Sequence, residues 1–441
     1  MVLPKKQVVN QTHERCFEVE KSPNNSNPLL DTTVPLYDWD TYTQGLILSS
    51  VFWAYGPMHF VYGPLIQRFG GKFFLGQAIF LPSLLTTLIP FAVKWRGSTA
   101  LIALRFLFGL SSGAIYPAIG SMSPHWLPSS ERTSFGIICA GYEIGTILGS
   151  IIPALIIKYS GYGWPAVFYC FGTLGVIWLP FWILLCYNNP DEHPFISDEE
   201  KKFLQDSTKH GLNKTTRPAP YRHILKSMPF WAFTMGLLGT NWTYLGMAND
   251  LPKFMKSLGL AIDKIGYVAA ASYFLIWLNS VLSSWLVNSA LSKGMTTVGR
   301  IRKAVGSMAI LGPVMFIICA SYAGCNEHLV VAAFVIGMTL MGFGNVSVSV
   351  NHLDLSPNFS GTLLSISNGL NTLCGVVSPY IVGLMTTNQT IAEWRSVFWI
   401  NFAVAVVTCA CFVAYGSGEI QYWNDMNFKR NVKTIERLDS L

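Results

Sequence analysis

Residues 101–123 read LIALRFLFGLSSGAIYPAIGSMS, a long apolar run that carries a single charge, Arg105, followed by Gly109, Gly113, Tyr116 and Pro117. About 20 such residues in a helix cross the ~30 Å hydrocarbon core of a bilayer. A guanidinium cannot lose its proton, and placing one at bilayer depth costs at least ~2.5–3.5 kcal/mol on insertion scales. Arg105 therefore persists there only if it faces a water-filled cavity, a carboxylate or an anionic ligand, or if backbone carbonyls hold it as a structural cation. In a multispanning protein the former arrangement implies an anion pathway. The stretch by itself leaves both readings open.

Comparable runs continue on either side. Of the 441 residues 51% are hydrophobic and only 12% charged, where soluble chains carry about a quarter charged residues. The apolar residues cluster into spans near 45–67, 72–94, 99–123, 134–157, 165–187, 228–249, 265–287, 302–322, 328–350, 360–383 and 396–416. This pattern predicts an all-α membrane protein with about eleven crossings. Prolines within the spans (Pro57, Pro64, Pro82, Pro117, Pro153, Pro313, Pro379) do not demote them, because neighbouring helices re-satisfy the freed backbone groups. Gly141, Gly145 and Gly149 recur every four residues on one span, and such a stripe predicts close helix packing.

The net charge of +7 sits in the connections between spans and not in a stripe that would bind nucleic acid. Counted by side, 18 Lys and Arg lie with the 188–227 loop and the C-terminus, against 11 on the other side, which predicts that the former face the cytosol. The resulting plan is a polar luminal or extracellular segment at 1–44, five spans within 45–187, a central cytosolic loop at 188–227, six spans within 228–416 and a cytosolic tail at 417–441. The first 36 residues hold no apolar signal-peptide core. They carry acceptor patterns at Asn10 and Asn24, which are glycosylation candidates if that segment is luminal. The nine cysteines show no metal-ligand spacing, although Cys16 and Cys325 would meet an oxidising lumen. No nucleotide loop, zinc spacing or nucleophile elbow occurs, so an enzyme reading has no residues to rest on, and no cofactor is implied.

The split into two groups of spans is the plan of the major facilitator superfamily. The stretch Gly63-Pro64-Leu65-Ile66-Gln67-Arg68-Phe69-Gly70-Gly71-Lys72 resembles that superfamily's loop between its second and third helices, with Gln67 at the usual acidic position. More specific are Tyr37–Asp40, Gly45–Leu48 with Phe52-Trp53, Tyr116–Ala118, Trp126–Pro128 with Glu131-Arg132, and Asn241–Tyr244. Asn351–Asp354, Ser365–Asn368, and Ser417–Gln421 with Trp423-Asn424 complete the set. In register from 37 to 424, these resemble solute carrier family 17, which includes sialin, the vesicular glutamate transporters and the sodium–phosphate cotransporters. The resemblance is to the sialin- and phosphate-type members. It implies the superfamily bundle, twelve helices minus the first, since Tyr37–Asp40 matches the end of the loop that follows helix one. It also implies secondary active transport of an organic or inorganic anion (phosphate, a sialate-like acid or another carboxylate). Sodium or a proton would be co-transported, across the plasma membrane or an endolysosomal or vesicular membrane. An uncoupled uniporter or channel and a non-transporting family member remain as alternatives.

The resemblance assigns Arg105 to the substrate anion. It places Phe108 and Ser112, neither of which titrates, where proton-coupled members have glutamates. Glu143 lies mid-span on the next helix and is the candidate coupling group or ion-pair partner of Arg105. Tyr116, Trp242, Tyr244 and Asn368 are candidate cavity residues, with packing roles open for each. Thr240 and Leu48 stand where the glutamate transporters have an arginine and a histidine, which argues against glutamate-type transport. His59 is a lone helical histidine. Glu131, Arg132, His352 and Asp354 fall at cytosolic helix ends and are candidate gating residues.

Overall fold

The computed structural model describes residues 37–208, 218–258, 260, 262–323, 326–386 and 390–425. Helices cover each apolar run. The first group is α1 (Thr41–Phe69), α2 (Gly71–Ser112), α3 (Ile115–Trp126), α4 (Phe135–Tyr159) and α5 (Trp164–Leu185). The second is α8 (Met228–Leu245), α9 (Leu251–Ser257), α10 (Ile262–Ser292), α11 (Val298–Tyr322), α12 (Glu327–Val346), α13 (Asn351–Leu355), α14 (Ser360–Met385) and α15 (Ile391–Tyr415). Between the groups lie α6 (Asp198–Thr208) and α7 (Tyr221–Lys226), so the polar segment at 188–227 contains helices as well as loop.

Among the described residues, seven helical stretches are long and apolar enough to cross a membrane. One of them, Gly71–Trp126, is 56 residues long and passes twice. Its two passes are not separated by a loop: Arg96 and Gly97 (φ +61°) break one continuous helix into a kink, a backbone turn that glycine takes without steric cost. The second pass breaks again between α2 and α3, at Gly113 and Ala114. The span expected at 228–249 runs on through a π-helical turn at Gly246–Asp250 into α9. At the 69–71 turn, one residue, Gly70 with φ +86°, reverses the chain.

Helix ends away from the polar segment are capped locally. Asp40 accepts from Thr43 N, Asn326 accepts from Leu329 N, and Thr390 with Glu393 forms a reciprocal capping box. These satisfy backbone donors that a helix start leaves open. At the opposite end, which carries α6 and α7 and is here called the linker end, the tail is tied down. Gln421 N donates to Leu355 O, and Asn424 Oδ1 accepts from Ser356 Oγ and Asn358 N. Trp423 is fully buried beside them.

Each half has its own apolar packing. In the first, Tyr62, Ile66, Leu75, Ala114 and Ala118 form one cluster, and Ile47, Ile89, Val93, Leu101 and Trp164 another. In the second, Phe230, Phe233, Ile310, Val314 and Phe412 gather near the linker end, and Met247, Phe254, Phe334, Trp394 and Phe398 near the other. Glycines set the closest helix approaches. A Cβ at Gly109 would collide with the Val51 carbonyl, and one at Gly113 would sit 2.9 Å from Met58 Cβ, so α1 crosses the second pass in direct backbone contact.

The halves meet chiefly through α1 and α3 against α14, and α4 against α10 and α12. Gly120 and Gly361 face each other there, and a Cβ on Gly361 would lie 2.8 Å from Pro117 O. The glycine stripe on α4 corrects its sequence reading. Gly141, Gly145 and Gly149 have nothing within 4 Å of where a Cβ would stand, so they are not packing positions in this conformation. They lie on the stretch of α4 that runs away from the linker end.

The two kinds of glycine should respond oppositely to added bulk. Gly109→Val forces two backbones apart, an overpacking cost of ~1–3 kcal/mol or more, and should sharply reduce monodisperse protein in size-exclusion chromatography of tagged variants. Gly145→Ala should leave the same profile unchanged.

Candidate functional site

Midway along the bundle, a half-buried cation and a set of tyrosine hydroxyls from both halves stand within the spans. Arg105 enters from the second pass of α2, one turn before the Gly109 crossing. It is half-buried, its Nε is shielded and has no hydrogen-bond partner, and no ion pair reaches it among the described residues. Tyr55 of α1, Tyr116 of α3 and Tyr142 of α4 interact electrostatically with one another. Tyr142 Oη lies 3.4 Å from Tyr244 Oη of α8, which donates to Tyr273 Oη of α10 at 3.5 Å. A chain of hydroxyls thus crosses from the first half to the second. Tyr116 itself remains 39% exposed.

Glu143 sits beneath these rings and is 6% exposed. It forms no ion pair with Arg105, so that expected partnership is corrected. Asn345 of α12 is a polar neighbour from the other half, and the Glu143 Oε2 has no partner. The reason is rotational: Glu143 faces the second half across the α4–α12 contact. Trp242 also departs from its candidate cavity role. It is buried, and its indole N–H donates to Asn401 Oδ1 at 2.9 Å, which makes it a link between α8 and α15. Asn368 is half-buried and spends its amide on Leu364 O one turn back in α14. Ser112 Oγ likewise donates to Phe108 O. Tyr55, Tyr142, Tyr273 and Asn345 were not singled out from the sequence. A tyrosine in an apolar span carries no local sign of which way it faces.

The linker end is closed by a buried polar network. Asp354 accepts from Arg302 Nε at 2.8 Å and lies 4.0 Å from Arg132 Nη1. Arg302 also donates to Thr133 Oγ1 and to Val346 O. Around it, Ser284 Oγ donates to Thr133 O, Asn288 to Ser134 Oγ, and Ser360 Oγ to Gly120 O. Ser365 Oγ donates to His59 O, and His59 Nδ1 bonds Tyr55 O. Every bond in this set except Arg302–Asp354, Arg302–Val346 and His59–Tyr55 joins one half to the other. Of the candidate gating residues, Arg132 and Asp354 belong to this network. His352 packs its ring between Phe135 and Phe233 and bonds Ser349 O. The side chain of Glu131 lies outside the described residues, as do Asn10, Asn24, Cys16 and Cys325. Arg302 was missed because it opens a span and reads as a loop charge, yet it is 2% exposed.

A two-half helical bundle, sealed at one end around an interior polar site, is the architecture of a membrane transporter. A family model for the major facilitator superfamily matches residues 24–379. Sheep (Ovis aries) sialin is 35% identical over 94% of this chain and 83% of its own length. A putative inorganic phosphate cotransporter of Drosophila melanogaster is 32% identical over 95% and 81%. Vesicular glutamate transporter 3 of Danio rerio is 30% identical over 91% and 69%. Among solved structures, the proton:xylose symporter XylE superposes with a TM-score of 0.65 at 15% identity, covering 86% of this chain and 87% of that one. The E. coli fucose:proton symporter FucP gives 0.60 at 12% identity, over 84% and 90%. The chain belongs to the major facilitator superfamily and, within it, to solute carrier family 17. It is a multi-pass membrane transporter and not an enzyme.

Breaking the end network should open it. Asp354→Asn leaves two arginines facing each other without a carboxylate, and removing one partner of a buried pair costs ~3–5 kcal/mol. A cysteine placed at Ser360 should then label with a water-soluble maleimide far faster than in the parent, while the protein still inserts. Unchanged labelling would mean that the pair does not hold the linker end shut.

Proposed function

We propose that this transporter moves small anions by alternating access, with transport coupled to an ion gradient. The observation that carries the reading is Arg105: a permanent charge, half-buried in a membrane-spanning helix and paired to no carboxylate among the described residues. A guanidinium in that setting is stabilised by a carboxylate or phosphate that accepts two parallel N–H bonds. The names of the relatives, sialin and inorganic phosphate cotransporter, point to the same two chemistries. Inorganic phosphate, a sialate-like acid or another carboxylate is the substrate class.

The charge distribution between spans supports a cytosolic linker end. The conformation described here, sealed at that end, then opens toward the lumen or the exterior. The membrane is the plasma membrane or an endolysosomal or vesicular one. Phe108 and Ser112 supply no titrating group to the Arg105 helix, an observation that favours an uncoupled uniporter as the second reading. Uphill accumulation separates the two.

The test is uptake by purified protein in liposomes, offered inorganic phosphate, sialate and glutamate in turn under separate sodium, proton and voltage gradients. Arg105→Lys should insert normally and lose most uptake. Replacing the planar fork by a point charge forfeits a charge-assisted bond of ~1.5–3 kcal/mol, on the order of a ten- to hundredfold fall in rate. Wild-type uptake by the Lys variant at equal abundance would remove Arg105 from the substrate site.

A further inference from the structure

Among the residues of the five first-half spans, Glu143 is the single carboxylate at mid-membrane depth. Of the other acidic residues of the helical bundle, Asp263, Glu327, Asp354 and Glu393 lie at or near helix ends, and Asp250 lies in the π-helical turn that joins α8 to α9. Asp354 is already held by two arginines, and Asp250 by Lys253 at 3.3 Å. Glu143 has no cation among the described residues. The groups that face it are Tyr116 from α3, Cys139 from its own helix, Tyr273 from α10, and Asn345 from α12. One carboxyl oxygen is shielded and unpartnered. A buried charge with no counter-ion is costly by several kcal/mol, whereas a carboxyl carrying a proton is not.

Of the polar neighbours of Glu143, Asn345 belongs to the other half. Asn345 is itself fixed, donating to Ser280 Oγ at 3.1 Å, with Ser280 in turn bonded to Gly342 O. It stands beside the linker-end seal: the backbone of Asn345 abuts Gly136, and Val346 O is bonded by Arg302. Opening that seal must draw α4 away from α12, so Glu143 cannot keep Asn345 and this shielded environment in both conformations.

We propose that Glu143 is the proton carrier of this transporter, and that Asn345 is the positioning residue that ties its protonation to the separation of the halves. The proposal rests on the ion-coupled anion carrier reading above. A proton passes from water on the open side to a Glu143 carboxylate oxygen, remains there while the group is enclosed against α12, and returns to water when the linker end opens. No bond other than O–H forms or breaks, and the anion on Arg105 crosses in the same cycle.

The experiment uses purified full-length protein in liposomes with labelled inorganic phosphate as the probe. Glu143→Gln keeps the shape and removes the titration. It should lose proton-driven accumulation yet retain exchange of labelled for unlabelled phosphate, which needs no net proton movement. Asn345→Leu should retain exchange and displace the pH profile of accumulation, a change that lost packing alone would not produce. A second, substrate-independent measurement is the infrared difference spectrum of the wild type between acid and alkaline pH, where one protonated-carboxyl band should be absent from the Gln variant. If the wild type accumulates no phosphate, the transport reading fails for that anion, and the infrared band still decides for or against Glu143. The proposal is overturned by accumulation that survives in Glu143→Gln, by exchange lost along with accumulation at normal abundance, by a defect confined to sodium-driven uptake, or by a carboxyl band that the substitution leaves in place. If the Gln variant does not fold, Glu143→Asp substitutes for it. A shifted pH dependence supports the proposal, and an unshifted one overturns it.

Discussion

Two arginines from opposite halves of the bundle share the carboxylate of Asp354. Arg302 reaches it from α11 and Arg132 from the turn before α4, and Arg302 at the same time bonds Thr133 and the carbonyl that ends α12. All of these groups are largely removed from water. In a low-dielectric setting such a set is stable only while it is complete, because a charge left behind has no solvent to turn to. The network therefore acts as an all-or-none contact. While it stands, α1, α3 and α4 are held against α14, α10 and α12 at the linker end, and the serine and asparagine bonds around it fall into register.

That one-ended closure shapes everything deeper in the bundle. With the halves pinned at the linker end, the stretch of α4 bearing Gly141, Gly145 and Gly149 faces open space. The same stretch of α4 carries Tyr142, whose hydroxyl meets Tyr244, and the buried Glu143. The glycines that do pack, such as Gly109 against Val51 and Gly120 against Gly361, let backbones touch where a rigid crossing is required. Residues of one type thus serve opposite purposes, and their place relative to the seal decides which.

The interior site is built mostly from aromatic hydroxyls and one fixed cation. Tyrosines present an apolar body to neighbouring helices and a polar tip to the cavity, so they make a wet site without burying charge. Arg105 is the exception, a charge that remains only half-buried. The hydroxyl contact between Tyr142 and Tyr244 spans the halves at this level. Any rocking motion that separates the halves at the linker end must also rearrange the groups around the site, which is the physical basis for linking substrate occupancy to conformation.

The sequence by itself determined the class of protein. Apolar runs of membrane length, the polar break after Tyr187 and the ordered motifs from Tyr37 to Asn424 specify a helical bundle in two groups, because a backbone in lipid has to satisfy its own hydrogen bonds and the length of a span is fixed by bilayer thickness. Arg105 stood out for the same reason: a charge in hydrocarbon is costly wherever it points. The tertiary structure alone decided the partnerships. It separated Glu143 from Arg105, gave the Trp242 indole to Asn401, emptied the space beside the α4 glycine stripe, and drew Arg302 from an apparent loop charge into the buried centre of the seal. Each of these depends on how a helix is rotated about its axis and which half it meets. In a span that is apolar nearly all round, the periodicity that would reveal a buried face is too weak to fix that rotation, so it is settled by packing between residues far apart in the chain.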